Sequence, residues 1–234
     1  MQREAIMARK KDYWQVIAAH VAAVVKDREI EHVLHFTRLE NLPGILEHGL
    51  QPRSNLTLAN LDFRPSDTSR LDEKSDAVSV SISCYYPAMF AAKRFRAGSK
   101  PWVILFLNPS LLSNCHCLFL QRGAATTATI QDRSKRFGGY ALCNLFDDLP
   151  VGIDTKDKSF REYCHLPRSW PTYPDSEVQV VGSIHSSYLT GAWVETIEHE
   201  EYVRAAFNAA GRRDCDVGIH PFEPRICCKP YSWG

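Results

Sequence analysis

The stretch Ala77-Val78-Ser79-Val80-Ser81-Ile82-Ser83 alternates aliphatic and hydroxyl side chains with a period of two. Successive side chains of an extended chain point to opposite faces, so this segment reads as a half-buried strand and not as a helix. Its serine face looks onto something polar. Residues 33–36, 102–107, 117–120, 177–184 and 193–197 also read as strands. The run 102–107 is apolar throughout, as a central strand covered on both faces requires. Helical spacing marks 13–28, where Trp14, Ile17, Val21, Val24 and Val25 recur on one side. A short helix follows Asn41 as N-cap and stops at Gly49. Further helical segments are 87–96, a piece near 140–147, and 198–210. Strands and helices mix without strict βαβ alternation, which favours an α+β fold. The expected organisation is one domain over 1–234, with an N-terminal helix within 1–30 and an extended tail over 211–234. Two stretches, 51–76 and 121–176, show no sustained period and read as long loops. Loops of that length usually cover a site.

Composition narrows the function classes. With 44% hydrophobic and 24% charged residues the chain is an ordinary globular one. No apolar run approaches membrane-spanning length, and residues 1–11 are polar, so a cytoplasmic location is expected and no membrane partner. Eight cysteines in such a chain read as reduced thiols. A net charge of +1 gives no global electrostatic argument for nucleic acid. A polyanion would have to be held locally, by Lys93, Arg94, Arg96 and Lys100, or by Arg133, Lys135 and Arg136. Cys115-His116-Cys117 and the Cys227-Cys228 pair with His220 lack the spacing of paired zinc knuckles, so no metal is expected.

Residues able to do chemistry stand at strand ends beside the long loops. They are His35 and Thr37 early in the chain, Arg70 in the first loop, and Glu177, preceded by Pro174-Asp175-Ser176. Taken singly each also has an ordinary structural role: a satisfied strand histidine, a solvated loop cation, an edge carboxylate.

The run His35-Phe36-Thr37-Arg38-Leu39-Glu40-Asn41-Leu42-Pro43-Gly44-Ile45-Leu46-Glu47-His48-Gly49-Leu50 resembles the N-terminal signature of the DarT-type DNA ADP-ribosyltransferase toxins. Ser69-Arg70-Leu71-Asp72, the 77–83 strand, Ala88-Met89-Phe90, 102–107 and Asp175-Ser176-Glu177-Val178-Gln179-Val180 resemble the same family in the same order. The resemblance spans about 32–184. It implies an ADP-ribosyltransferase-like split mixed sheet, NAD as ADP-ribose donor, and transfer onto a base of single-stranded DNA, with single-stranded RNA as the rival acceptor and a non-catalytic nucleotide-binding module as the remaining alternative. It further implies a toxin paired with an antitoxin, and a role in phage defence. By motif match Glu177 is the catalytic glutamate and Arg70 contacts the cofactor phosphates and the target base. His35, Thr37, Asn41, Gly49, Ser81, Ser83, Met89 and Phe90 fall on the NAD side. The segment 166–176, with Trp170 and Tyr173, becomes the acceptor-facing loop, helped by Lys93, Arg94 and Arg96. Met89 and Phe90 read equally well as core residues.

Overall fold

A computed structural model of the chain describes residues 2–59, 75–123, 136–148 and 159–222. Arg70, Arg133, Lys135, Cys227 and Cys228 lie outside the described residues. The chain runs α1 (Gln2–Asp27), β1 (Val33–Arg38), a short 3-10 turn (Leu39–Asn41), α2 (Leu42–His48) and α3 (Arg53–Leu58). It continues with β2 (Ala77–Ile82), α4 (Pro87–Ala97), β3 (Trp102–Leu107), α5 (Leu111–Asn114) and β4 (Cys117–Leu120). The remainder is α6 (Gly139–Asn144), α7 (Phe160–Tyr163), β5 (Glu177–Val181), β6 (Leu189–Val194), α8 (Ile197–Ala209) and β7 (Asp216–Ile219).

The strands form one mixed sheet in the order β4-β5-β2-β1-β3-β6-β7, antiparallel except for the parallel β6–β7 pair at one edge. This agrees with the α+β expectation. Pairing is uneven across the sheet. β1 and β3 run together over Val33↔Leu107 to Arg38↔Trp102, whereas β1 and β2 share only Val33↔Ile82 and Leu34↔Ser81. Beyond those two pairs the sheet parts into a β4-β5-β2 half and a β1-β3-β6-β7 half.

Each face has its own cover. On one, Val33, Val78, Val80, Val103, Leu105, Val178 and Val180 pack beneath apolar residues of α1, α2, α5, α6 and α8 in the main core. At roughly 1.5–3 kcal/mol per fully buried aliphatic side chain, this face holds the two halves together where the ladder does not. On the other, Leu34, Trp102 and Ile104 lie under Phe90 of α4 and Phe222, an aromatic cluster joined by Phe36, Phe106 and Trp193.

Several elements depart from the sequence reading, each for a local reason. The first helix begins at Gln2, and Trp14, assigned to its buried stripe, is half exposed and stacks edge-on against His116 and Phe137. The two stretches read as loops contain the short helices α3 and α7; α7 is opened by a reciprocal capping box between Ser159 and Glu162. β5 ends early, at Gly182 with φ 84°. β6 lies upstream of the 193–197 reading because Thr196 caps α8, its hydroxyl accepting from His199 N at 3.3 Å. Part of the tail read as extended pairs in parallel with β6 as β7, where a side chain on Gly191 would come within 2.5 Å of the Asp216 carbonyl.

Candidate active site

The site grows from the serine row of β2. Residues opposite one another in an antiparallel ladder share a face, and every second residue of a strand returns to it. Ser79 faces Gln179, and Ser81 faces Leu34, so Ser79, Ser81, Glu177 and Gln179 share a face with Leu34 and Phe36. The polar row therefore ends against the aromatic cluster, where Phe36 and Phe90 lie 4.8 Å apart between ring centroids. Glu177 is the first residue of β5, half-buried, its backbone in register with Leu120 of β4.

His35 stands at the parting of β1 and β2. Its Nδ1 lies 2.9 Å from the Ser79 carbonyl, the acceptor that Phe36 N would occupy if the two-strand ladder continued. A carbonyl oxygen only accepts, so Nδ1 carries the proton and, in the neutral ring, Nε2 is the acceptor. The imidazole thus replaces a missing ladder bond and has its tautomer fixed in doing so. Thr37, 6% exposed, receives a 3.0 Å hydrogen bond from Asn41 Nδ2, tying β1 to the start of α2. By register His35 and Thr37 lie on the opposite face of β1 from Phe36, so the split, rather than a shared face, brings His35 next to Ser79.

Other assigned residues take more structural positions. Gly49 has φ 75°, and a side chain there would sit 2.3 Å from the Ile184 carbonyl; its role is to let Leu50 and Ile184 exchange two 2.9 Å backbone bonds. Phe90 is 1% exposed at the centre of the aromatic cluster, whereas Met89 beside it is open to solvent. Arg94 pairs with Glu195, donates to the Phe222 carbonyl and stacks on Phe90 and Phe222, so it braces α4 instead of reaching outward. Lys93 Nζ lies 5.3 Å from the Phe36 ring centre, and Arg96 is exposed in the last turn. The Ser83 hydroxyl is buried without a hydrogen-bond partner, at φ 57° just beyond β2. Such a group costs about 1–3 kcal/mol unless a ligand engages it. With the serine row it suits a ligand rich in hydroxyl groups.

The segment before Glu177 is braced by residues that sequence reasoning missed. Arg122 Nε donates to both oxygens of Asp175, at 2.9 and 3.0 Å, and its guanidinium lies 4.5 Å over the Tyr173 ring. Gly123 N also donates to Asp175, and the Ser176 hydroxyl donates to the Gln121 carbonyl at 2.8 Å. Buried Thr172 receives from Arg161 and donates to the Asp147 carbonyl. Trp170 is half-buried in the same loop, its backbone closing a turn on Pro167. Arg122 and Asp175 are 53 residues apart, so no local pattern announces the pair. Cys115 and Cys117 serve the core: burial raises both thiols, and Cys117 donates to the Leu111 carbonyl. Among the described residues no three metal-ligating side chains converge.

Comparison with known proteins adds to this geometry. The family model described as "ssDNA thymidine ADP-ribosyltransferase, DarT" matches residues 34–224. No curated protein matches the chain. Among solved structures, DarT of Thermus sp. 2.9 in complex with carba-NAD+ superposes with a TM-score of 0.55 at 15% identity, covering 82% of this chain and 96% of that one. The same protein in complex with NAD+ gives 0.51 at 14% identity, with 82% and 96% covered. DarTG of Thermosipho africanus in complex with ADP-ribose gives 0.51 at 11% identity over 82% of this chain, which spans 50% of that longer one. At these identities the structural likeness establishes the fold.

Proposed function

Because the chain belongs to the DarT family of single-stranded-DNA thymidine ADP-ribosyltransferases, we propose that it moves ADP-ribose from NAD onto a thymine base of single-stranded DNA, with Glu177 as the catalytic carboxylate. The observation that supports this assignment is that Glu177 shares a face with Ser79 and Ser81, and that His35 reaches the Ser79 backbone carbonyl where β1 and β2 part.

Breaking the bond between ribose and nicotinamide sends the electron pair to the departing nicotinamide nitrogen. Positive charge builds on the ribose, as in glycoside cleavage. Glu177, half-buried and held at the start of a strand, stabilises that charge and accepts from the ribose hydroxyls. His35 Nε2 accepts from a hydroxyl of the same sugar. The base attacks the ribose carbon, nicotinamide leaves, and the base gives up its proton. The loop 166–176 presents the acceptor, with Trp170 and Tyr173 as stacking surfaces for an unpaired base. Arg70 answers the donor phosphates, and half-buried Lys93 and exposed Arg96 meet the DNA backbone.

A transferase that modifies the DNA of its own host calls for a counter-activity, so the protein works in the cytoplasm as the toxin of a pair, with an antitoxin as its partner and phage defence as its use. The test is to incubate protein and labelled NAD with single-stranded DNA oligonucleotides containing or lacking thymine, with RNA, and with protein, alongside Glu177→Ala. Label on thymine-containing DNA, absent with Glu177→Ala, is the expected result; label on RNA alone would replace the substrate, and no label on any acceptor would overturn the reading. Expression of the wild type, but not of Glu177→Ala, should arrest growth.

A further inference from the structure

Away from the β1–β2 parting, the described residues form an open cleft of about 520 Å³ lined by Arg28, Arg161, Glu162, His165, Leu166 and Arg168. Three guanidinium groups around one cleft are conspicuous in a chain whose net charge is +1. Carboxylates stand beside them. The Glu162 side chain is taken up by the capping box, accepting from Ser159 N at 3.1 Å. Asp27 is shared, 3.4 Å from Arg168 and 3.8 Å from Arg28, and Asp148 accepts from the Arg161 backbone N at 3.1 Å.

The cations are also fixed in place. Arg28 and Arg161 both lie over the buried Phe146 ring, at 4.9 and 5.7 Å from its centre. Arg161 is held further by Thr172 and the Pro167 carbonyl, at 2.9 Å each, and Arg168 by the Asp27 carbonyl at 2.7 Å. Arg28 Nε is buried with no hydrogen-bond partner, a donor withdrawn from water that still lacks an acceptor. Planar forks held on an aromatic ring lose little freedom on binding and match the oxygens of a phosphate.

We propose that this cleft is a phosphate subsite for the acceptor strand, taking a backbone phosphodiester that flanks the modified base. The assignment rests on the function proposed above and adds to it where the strand is gripped. It favours the acceptor over the donor because Leu166 and Arg168 belong to the stem of the loop that leads into Glu177, while none of His35, Ser79 or Ser81 lines the cleft. A phosphate held there sets the register of the strand across the loop. Such an interaction positions the strand without reading its sequence.

The test compares wild type with R28Q/R168Q, and with R168Q alone should the double variant fold poorly, since the Arg168 side chain is 61% exposed. Fluorescence anisotropy gives the Kd for a thymine-containing single strand over a salt series; calorimetry with a non-hydrolysable NAD analogue reports the donor site. We expect the Kd for DNA to rise about tenfold, and the slope of log Kd against log salt to become shallower by about 0.7 for each phosphate that the variant no longer neutralises. NAD affinity should not change. A series of oligonucleotides with one neutral methylphosphonate each should reveal a single position that weakens the wild type and leaves R28Q/R168Q indifferent. Unchanged DNA affinity and salt slope, an equal loss of NAD affinity, or a methylphosphonate penalty that persists in the variant would each overturn the subsite. Because binding is read without turnover, a protein that binds DNA through this cleft but transfers no label would refute the proposed chemistry and not the subsite.

Discussion

Glu177 and His35, the two residues placed at the proposed site, are held by different physical means. Glu177 is placed by strand geometry, and the bonds of Asp175 and Ser176 to the 121–123 segment hold the turn before it. It belongs to neither apolar cluster, so Glu177→Gln should cut kcat by about 10²–10³ while moving Tm by less than about 2 °C; initial rates and a thermal melt on the same preparation check this. His35 instead fills a gap in the ladder. His35→Ala leaves the Ser79 carbonyl without its imidazole donor and removes the ribose acceptor, and should raise KM for NAD about tenfold. Unaltered KM in steady-state kinetics would remove His35 from the donor site. Both residues were legible in the sequence through the motifs around them. Arg122 and Arg161 were not, because the partners that give them meaning, Asp175 and Thr172, meet them only in the folded chain.

Among the elements, those legible in the sequence had strong periodicity: the Val/Ser alternation of β2, the unbroken apolar run of β3, and the helices α4 and α8. Elements that escaped were short or defined by their neighbours. β7 holds four residues including a glycine and exists because α8 returns the chain beside β6. α3 and α7 have six and four residues, too few for a hydrophobic face to repeat. The split between β1 and β2 was implied by family likeness alone, since both strands read as continuous. Gly49 shows how tightly elements meet near it, because left-handed backbone and a 2.3 Å approach to Ile184 both exclude a side chain. Gly49→Ala should destabilise the fold by about 3 kcal/mol and lower Tm by roughly 6–10 °C, measured by differential scanning calorimetry.

For the whole molecule, the aromatic cluster reaches from α4 to the last described residues. His220 stacks on Trp193 at 4.2 Å, and Phe222 is buried against Phe90. Burial holds the His220 imidazole below its ordinary value of 6.5, with the Pro221 backbone opposing part of that effect. The folded state prefers the neutral ring, so this contribution to stability is complete above the unfolded value and is lost as pH falls below it, where the unfolded chain takes up the proton first. Thermal melts from pH 7.5 down to 5.5 should show a steeper decline for the wild type than for His220→Phe. None of the described helices is long and apolar enough to cross a membrane. The loop before Glu177 is fastened at its start by Arg161 and Arg168, at its middle by Thr172 and at its end by Asp175, with Trp170 and Tyr173 on either side of the central anchor. On the proposed function, that arrangement makes Trp170 and Tyr173 exchangeable fittings on a fixed frame: substitutions at these two positions would change which nucleotide is accepted without disturbing the carboxylate.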